Sequence, residues 1–148
     1  MSRLDIIQKL GELSQKKMDA VAQDLALLQQ QCTVAEEKLA LLRQYSGDYE
    51  RQLEARSGRG MEVSILRDYQ RFIKQLENAI QIQAFEVARH QRFCAEGLAR
   101  WMAARRAAKG FETLTVRHLA ADHLKALKKA QKEMDEWSQR ARAGLQVA

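Results

Sequence analysis

Proline is missing from all 148 residues, where average usage would supply roughly seven. Glycine numbers seven, two of them within Ser57-Gly58-Arg59-Gly60. That is too little turn chemistry for an all-β fold or for alternating βαβ units. Aromatic residues make up 6% of the chain, which argues against a large globular core. There are only two cysteines, the first residues (Met1-Ser2-Arg3-Leu4-Asp5) carry no secretory signal, and no apolar run exceeds Leu39-Ala40-Leu41-Leu42 in length. A transmembrane helix is excluded by that last fact, and the expected setting is cytosolic and reducing.

What fills the chain instead is helix-forming material. Ala, Glu, Lys, Leu and Arg number 22, 12, 10, 18 and 15, together 52% of the residues, and glutamine adds 16. This is the composition of long helices or coiled coils. The net charge of +6 is unevenly placed. Residues 1–57 carry 8 basic and 9 acidic side chains, whereas residues 58–148 carry 17 and 10. Positive charge belongs to the second part.

With Leu4 at position a of a heptad, the a and d places run Leu4, Ile7, Gly11, Ser14, Met18, Val21, Leu25, Leu28, Cys32, Ala35, Leu39, Leu42, Ser46, Tyr49 and Leu53. Twelve of the fifteen are apolar and the phase never changes, which marks a coiled-coil seam. A helix of this length extends roughly 80 Å. A second seam starts beyond Met61 and occupies Leu66, Tyr69, Ile73, Leu76, Ile80, Gln83, Val87, His90, Cys94, Gly97, Trp101, Ala104, Ala108 and Phe111. Its phase is lost at Thr115, His118 and Asp122, then resumes two residues later at Leu124, Leu127, Gln131 and Met134. Nothing there breaks a helix, so one helix is expected to continue while its partner ends.

The expected fold is all-α: a long antiparallel two-helix coiled coil, an α-hairpin with the longer helix second. It is read as one domain, with helix 1 at about 3–56, a hinge at 57–62 and helix 2 at about 63–142. Antiparallel pairing places a residues opposite d residues, which partners with numbers summing to 122 satisfy. The layers then include Leu53 with Tyr69, Tyr49 with Ile73, Ala35 with Val87, Leu25 with Gly97, Met18 with Ala104 and Gly11 with Phe111. Small residues face large ones, as packing at constant helix separation requires. The same rule ends the pairing near Leu4 and His118, where the second seam loses phase, and leaves about 25 residues of helix 2 as an overhang.

Catalytic constellations are missing. Gly58-Arg59-Gly60 lacks both a preceding strand and the Gly-Lys-Ser/Thr ending of a phosphate loop, and reads as a helix-to-helix turn. Cys32, His90 and Cys94 fall close together in the register and are residue types that can hold zinc. All three occupy seam positions where cysteine packs as a small hydrophobe, so core packing is the reading taken and no metal or other cofactor is expected. No enzymatic activity and no small-molecule substrate are expected either. The basic residues Arg89, Arg92, Arg100, Arg105, Arg106 and Lys109 scatter around the helix without an aromatic stacking platform. They read as a solvated face or a site for an acidic protein, with nucleic acid as the alternative from a different class. Lys125, Lys128, Lys129 and Lys132, followed by Glu133, Asp135 and Glu136, form a charged overhang suited to a protein socket.

The apolar residues outside the seam point to a partner. Tyr45, Phe72 and Ala79 are g positions, which antiparallel helices bring side by side. With Leu42, Tyr49 and Leu76 they form one patch near the hinge, a candidate docking surface. The same side chains could instead widen the seam by lying across it. Ile82 and Phe85 form a smaller outward pair on the next face.

The pattern Leu39-x-x-Leu42-x-x-Tyr45-x-x-x-Tyr49, the glycine hinge, Tyr69-Gln70-x-Phe72-x-x-x-Leu76-x-x-Ala79-Ile80-x-x-Gln83, Trp101, and Gln131-Lys132-x-x-Asp135-Glu136 resembles the FliJ family of flagellar type III export proteins over nearly the whole chain. The resemblance implies a coiled coil similar to the rotary stalk of F-type ATPases. It implies binding to the hexameric flagellar export ATPase and its regulator, to export chaperones and to the membrane-embedded export gate. It also implies a cytoplasmic location, peripheral on the inner membrane at the flagellar base. Leu42, Tyr45, Tyr49, Phe72, Leu76 and Ala79 become the gate-contacting residues. The segments Leu4 to Val21 and Arg105 to Trp137 become the part within the ATPase ring. Lys38 and Gln83 stand where the family has Gln and His, and Ala130 replaces a Glu; Lys38 could pair with Glu86 across the flank. The stalk of a virulence injectisome or a coiled-coil chaperone is the alternative within the same architecture.

Overall fold

The computed structural model describes residues 2–147. Two α-helices, α1 (Arg3–Ser57) and α2 (Val63–Val147), are the only elements among the described residues. α1 opens on a reciprocal cap: the Asp5 N–H donates to Ser2 Oγ at 3.2 Å, and the Ser2 N–H donates to Asp5 Oδ2 at 3.2 Å. Two of the donors that a helix start leaves unsatisfied are thereby paired. At the other end the backbone tightens, Arg59 N–H donating to Arg56 O at 3.1 Å and Gly60 N–H to Ser57 O at 3.3 Å. Gly60 then takes φ +87°. This left-handed conformation is free of strain only without a Cβ. α2 runs beyond residue 142 because Ala141, Arg142 and Ala143 are good helix formers with no breaker among them.

The chain packs as two units, residues 19–103 and a second unit joining residues up to Met18 to residues from Ala104 onward. In the first, α1 and α2 run antiparallel on either side of the turn. Every seam position assigned there from the heptads is buried or half-buried. Ala35, Leu39 and Val87 form the tightest apolar cluster, with Ile80 and Ala84 against it. Among the described residues no large side chain is sheltered completely, since two helices can cover only one stripe of each other. Gln83, a polar member of the seam, is satisfied across the helix gap, where its Nε2 donates to the Ala35 carbonyl at 3.0 Å. Gly97 is closely enclosed by α1. A Cβ added there would stand 2.8 Å from Leu28 Cδ1 and 3.4 Å from Leu25 Cδ1.

In the second unit, the seam positions Leu4, Ile7, Gly11, Ser14 and Met18 of α1 and Ala104, Ala108, Phe111, Thr115 and His118 of α2 are all buried or half-buried. A Cβ on Gly11 would stand 3.6 Å from Phe111 Cβ, the contact that numbers summing to 122 require. Burial persists through the two polar positions because Thr115 Oγ1 returns its hydrogen to the Phe111 carbonyl at 3.0 Å, and His118 Nε2 lies 3.5 Å from Asp122 Oδ2. From Leu119 to Leu145 every residue is exposed.

The two helical glycines of α2 that differ most in surroundings give a direct test of this packing. A Cβ on Gly110 meets nothing within 4 Å. Gly110→Ala should therefore raise the unfolding free energy by about 1 kcal/mol through helix propensity alone. Gly97→Ala should lose that gain, because Leu28 must move. Urea denaturation followed by circular dichroism distinguishes the two.

Candidate partner-binding surface

The six residues singled out from the g flank and its adjoining seam all belong to the unit 19–103. α1 presents Leu42, Tyr45 and Tyr49 at spacings of three and four, which keeps them on one face. α2 presents Phe72, Leu76 and Ala79 in the same way. They are not equally accessible. Tyr45 and Phe72 are 47% and 40% exposed. Leu42, Tyr49 and Ala79 are half-buried, and Leu76 is only 9% exposed. Leu76 is thus a seam residue beneath the surface, and its contribution to any contact runs through the side chains it supports.

Tyr49 organises the patch. Its ring centroid lies 4.6 Å from that of Phe72 and 6.3 Å from that of Tyr69, tilted 59° and 57° respectively. Such inclined pairs place the positive edge of one ring toward the negative face of another. The Arg56 guanidinium sits 5.6 Å above the Tyr69 ring, extending the group toward the turn through a cation–π contact. Tyr69 was assigned to the seam alone. The signal that could have added it is its position three residues before Phe72, one turn along the same face.

Charged neighbours differ from expectation. No ion pair joins Lys38 to Glu86. Glu86 Oε2 is taken by Arg89 Nη2 at 2.8 Å on its own helix and lies 3.8 Å from His90 Nε2. A pair three residues apart on one helix needs no reach across the gap between helices. Gln83 is buried and spends its amide on the Ala35 carbonyl, so it is not part of the outward surface. In the basic stretch, Arg89 is further occupied by the Phe93 ring, 5.7 Å below its guanidinium. Ile82 and Phe85 stand 67% and 78% exposed.

Cys32, His90 and Cys94 lie near one another in the seam, but no group of three His, Cys, Asp or Glu residues among the described ones is arranged to hold a metal ion. The Cys32 thiol donates to Glu36 Oε1 at 3.5 Å. Burial pushes it up to about 11 from its ordinary value of 9.0, with the hydrogen bond to Glu36, the charge of Glu36 and the neighbouring Cys94 adding to the rise. His90 Nδ1 is buried without a hydrogen-bond partner.

At pH ~8 the thiolate fraction of Cys32 falls about a hundredfold below that of an ordinary thiol. Iodoacetamide should accordingly leave Cys32 unmodified in the folded chain and label it once urea unfolds the protein, as peptide mass spectrometry would read. As pH rises from 9 toward 11 the unfolded chain ionises Cys32 first, so stability declines through that window. Cys32→Ala should flatten the decline.

The second unit offers surface of another kind. Leu119, Leu124, Leu127, Met134 and Trp137 are exposed on the unpaired end of α2, between 49% and 70%. Lysines 125, 128, 129 and 132 are interspersed among them. No helix among the described residues is long and apolar enough to cross a membrane.

Comparison with known proteins bears on which partners such surfaces serve. A family model described as flagellar FliJ protein matches residues 4–144. The chain is 30% identical to a flagellar FliJ protein of Salmonella typhi over 141 residues, covering 95% of this chain and 96% of that one. It is 28% identical over 141 residues, with the same coverage, to a flagellar FliJ protein of Escherichia coli strain K12.

Proposed function

The chain belongs to the FliJ family of flagellar proteins, and from that premise we propose that it is a non-enzymatic component of flagellar protein export. In this reading the end of α2 and the residues paired with its base engage the hexameric export ATPase and its regulator. The aromatic patch engages the membrane-embedded export gate, and the helical surfaces also receive export chaperones. The action is mechanical and regulatory. A protein that binds the assembled, active state of a ring better than its separated subunits shifts the ring toward assembly, and needs no reacting side chain to do so.

The observation that carries the reading is the aromatic group left half in solvent. Tyr45 and Phe72 stand 47% and 40% exposed above a Tyr49 ring that locks Phe72 in place at 4.6 Å. Rigid aromatics at the rim of a packed seam make strong anchors at low entropic cost. A supporting feature is the uncovered apolar and basic surface beyond His118, which a helix needs only if something else covers it.

Pull-downs from flagellated cells test the division of labour. Chain truncated after His118 should lose the ATPase and retain the gate protein; the variant Tyr45→Ala with Phe72→Ala should do the reverse. Loss of both partners in both forms would overturn it. Steep salt-dependent retention on random duplex DNA at physiological ionic strength would favour a nucleic-acid role instead.

A further inference from the structure

Both cysteines of the chain occupy the seam of the unit 19–103, Cys32 on α1 and Cys94 on α2, and both are free thiols. Each is an a position, so the two lie on the same side of the contact between antiparallel helices. Pairing by numbers that sum to 122 sets Cys32 level with His90 and Cys94 level with Leu28, one turn away, about 6 Å along the axis. Side-chain direction shortens that gap. On an α-helix the Cα–Cβ bond tilts toward the N-terminus, so in an antiparallel pair Cys32 leans toward the level of Cys94 while Cys94 leans back toward the level of Cys32. Pairs summing to a little more than 122 converge; those summing to less diverge. Gly97 shows the rule: a Cβ there would stand 2.8 Å from Leu28 Cδ1, whose number is three beyond the level sum, and 3.4 Å from its level partner Leu25.

We propose that Cys32 and Cys94 form a peroxide-sensitive staple, a reversible disulfide that ties α1 to α2 across the seam. The thiols differ in access, Cys32 being 8% exposed and Cys94 half-buried, so hydrogen peroxide meets Cys94 first. The Cys94 thiolate attacks one peroxide oxygen, the O–O bond breaks, and the departing hydroxide takes up the thiol's proton as water, which leaves Cys94 as the sulfenic acid. The Cys32 sulfur then attacks the Cys94 sulfur. The S–O bond breaks as the S–S bond forms, and the Cys32 proton leaves with the hydroxyl as a second water. Two thiols and one peroxide give one disulfide and two waters. Burial shields Cys32 from reagents in solution, but not from a neighbour already in the seam. That second step is intramolecular, so effective concentration offsets the small thiolate fraction of Cys32.

The bond closes residues 33–93 into a loop that contains the turn and the whole aromatic patch. Cross-linking a loop of that length removes freedom from the unfolded chain far more than from the folded one. Oxidation therefore fixes the helix pairing that supports Tyr49 and Phe72 and leaves every patch side chain chemically unchanged. The resting protein in a reducing compartment carries two thiols, and the staple forms only while oxidant is present. It is independent of the export reading.

Dilute full-length chain, treated with a few equivalents of hydrogen peroxide under native conditions and then unfolded in iodoacetamide, tests it. The intact mass should fall by about 2 Da, with no thiol left to alkylate, and tryptic digestion should yield one peptide pair joined through Cys32 and Cys94. Dithiothreitol should restore both thiols. The oxidised chain should melt about 5–10 °C above the reduced one. Cys32→Ser should stop at an oxidised Cys94 that dimedone traps, and Cys94→Ser should keep Cys32 as a thiol. Oxidation of Cys94 to the sulfinic acid beside an intact Cys32 thiol overturns the proposal. So does a disulfide between two chains in place of the internal one. An internal disulfide that forms only in urea belongs to the unfolded chain and overturns it too, as does a melting midpoint that the bond leaves level or lowers.

Discussion

Ala35→Pro should lower the free energy of unfolding by about 3 kcal/mol or more, and reduce the thermal midpoint by about 10 °C in a chain of this size. Ala35 is 6% exposed and belongs to the cluster with Leu39 and Val87. Proline there removes the N–H that bonds the Gln31 carbonyl, and its ring presses against that same carbonyl. It also displaces the Ala35 carbonyl, the acceptor for the buried Gln83 amide at 3.0 Å, leaving a polar group unsatisfied at further cost. The comparison that isolates the effect is Ala130→Pro, on the exposed end of α2. There the substitution should reduce ellipticity at 222 nm, with little change in the unfolding midpoint, because no seam depends on that turn. Urea and thermal denaturation of both variants measure the contrast. Equal destabilisation would mean that the end of α2 is folded cooperatively with the paired region.

Removing the two exposed aromatics should have the opposite profile. Tyr45→Ala with Phe72→Ala is expected to weaken binding to the gate partner by a factor of a hundred or so, as paired anchors at an interface centre do, while helicity is nearly unchanged. Stability should fall by only about 1–2 kcal/mol, chiefly from the Tyr49–Phe72 ring contact at 4.6 Å. Leu76→Ala serves as its mirror. That side chain is 9% exposed, so truncation should cost about 2–3 kcal/mol of stability and impair binding only as far as Tyr49 and Phe72 lose their support. Titration calorimetry with the purified gate domain, set beside denaturation curves, separates the roles. A large stability loss in the aromatic double variant, with affinity retained, would assign Tyr45 and Phe72 to the seam.

Much of this was readable before any coordinates, and the reason is physical. A two-helix coiled coil is governed by local periodicity: residues three and four apart must share a face, and a chain without proline has nothing to interrupt them. Leu4 through Leu53 and Leu66 through Phe111 named the seam because side-chain direction on a helix follows from sequence number alone. The register followed too, since small residues such as Gly11 and Gly97 need large ones opposite. The reciprocal cap at Ser2 and Asp5 was also present in the sequence, as two polar residues three apart before an apolar repeat, but its use depends on where the helix begins.

Other features were settled only by packing across the gap between helices. Leu76 and Phe72 are four residues apart, yet one is buried and the other stands out, because an a or d position and its g neighbour differ in depth by how the opposite helix covers them. Lys38 and Glu86 looked like partners until Arg89 proved nearer to Glu86. The rise of the Cys32 thiol to about 11 required burial against α2 and the nearness of Cys94 there, beyond the Glu36 carboxylate that lies four residues along its own helix. The sequence by itself determined two long helices, their seam and their pairing. Which residues on that seam remain accessible depends on distances between side chains far apart in the chain. Only the tertiary structure sets those.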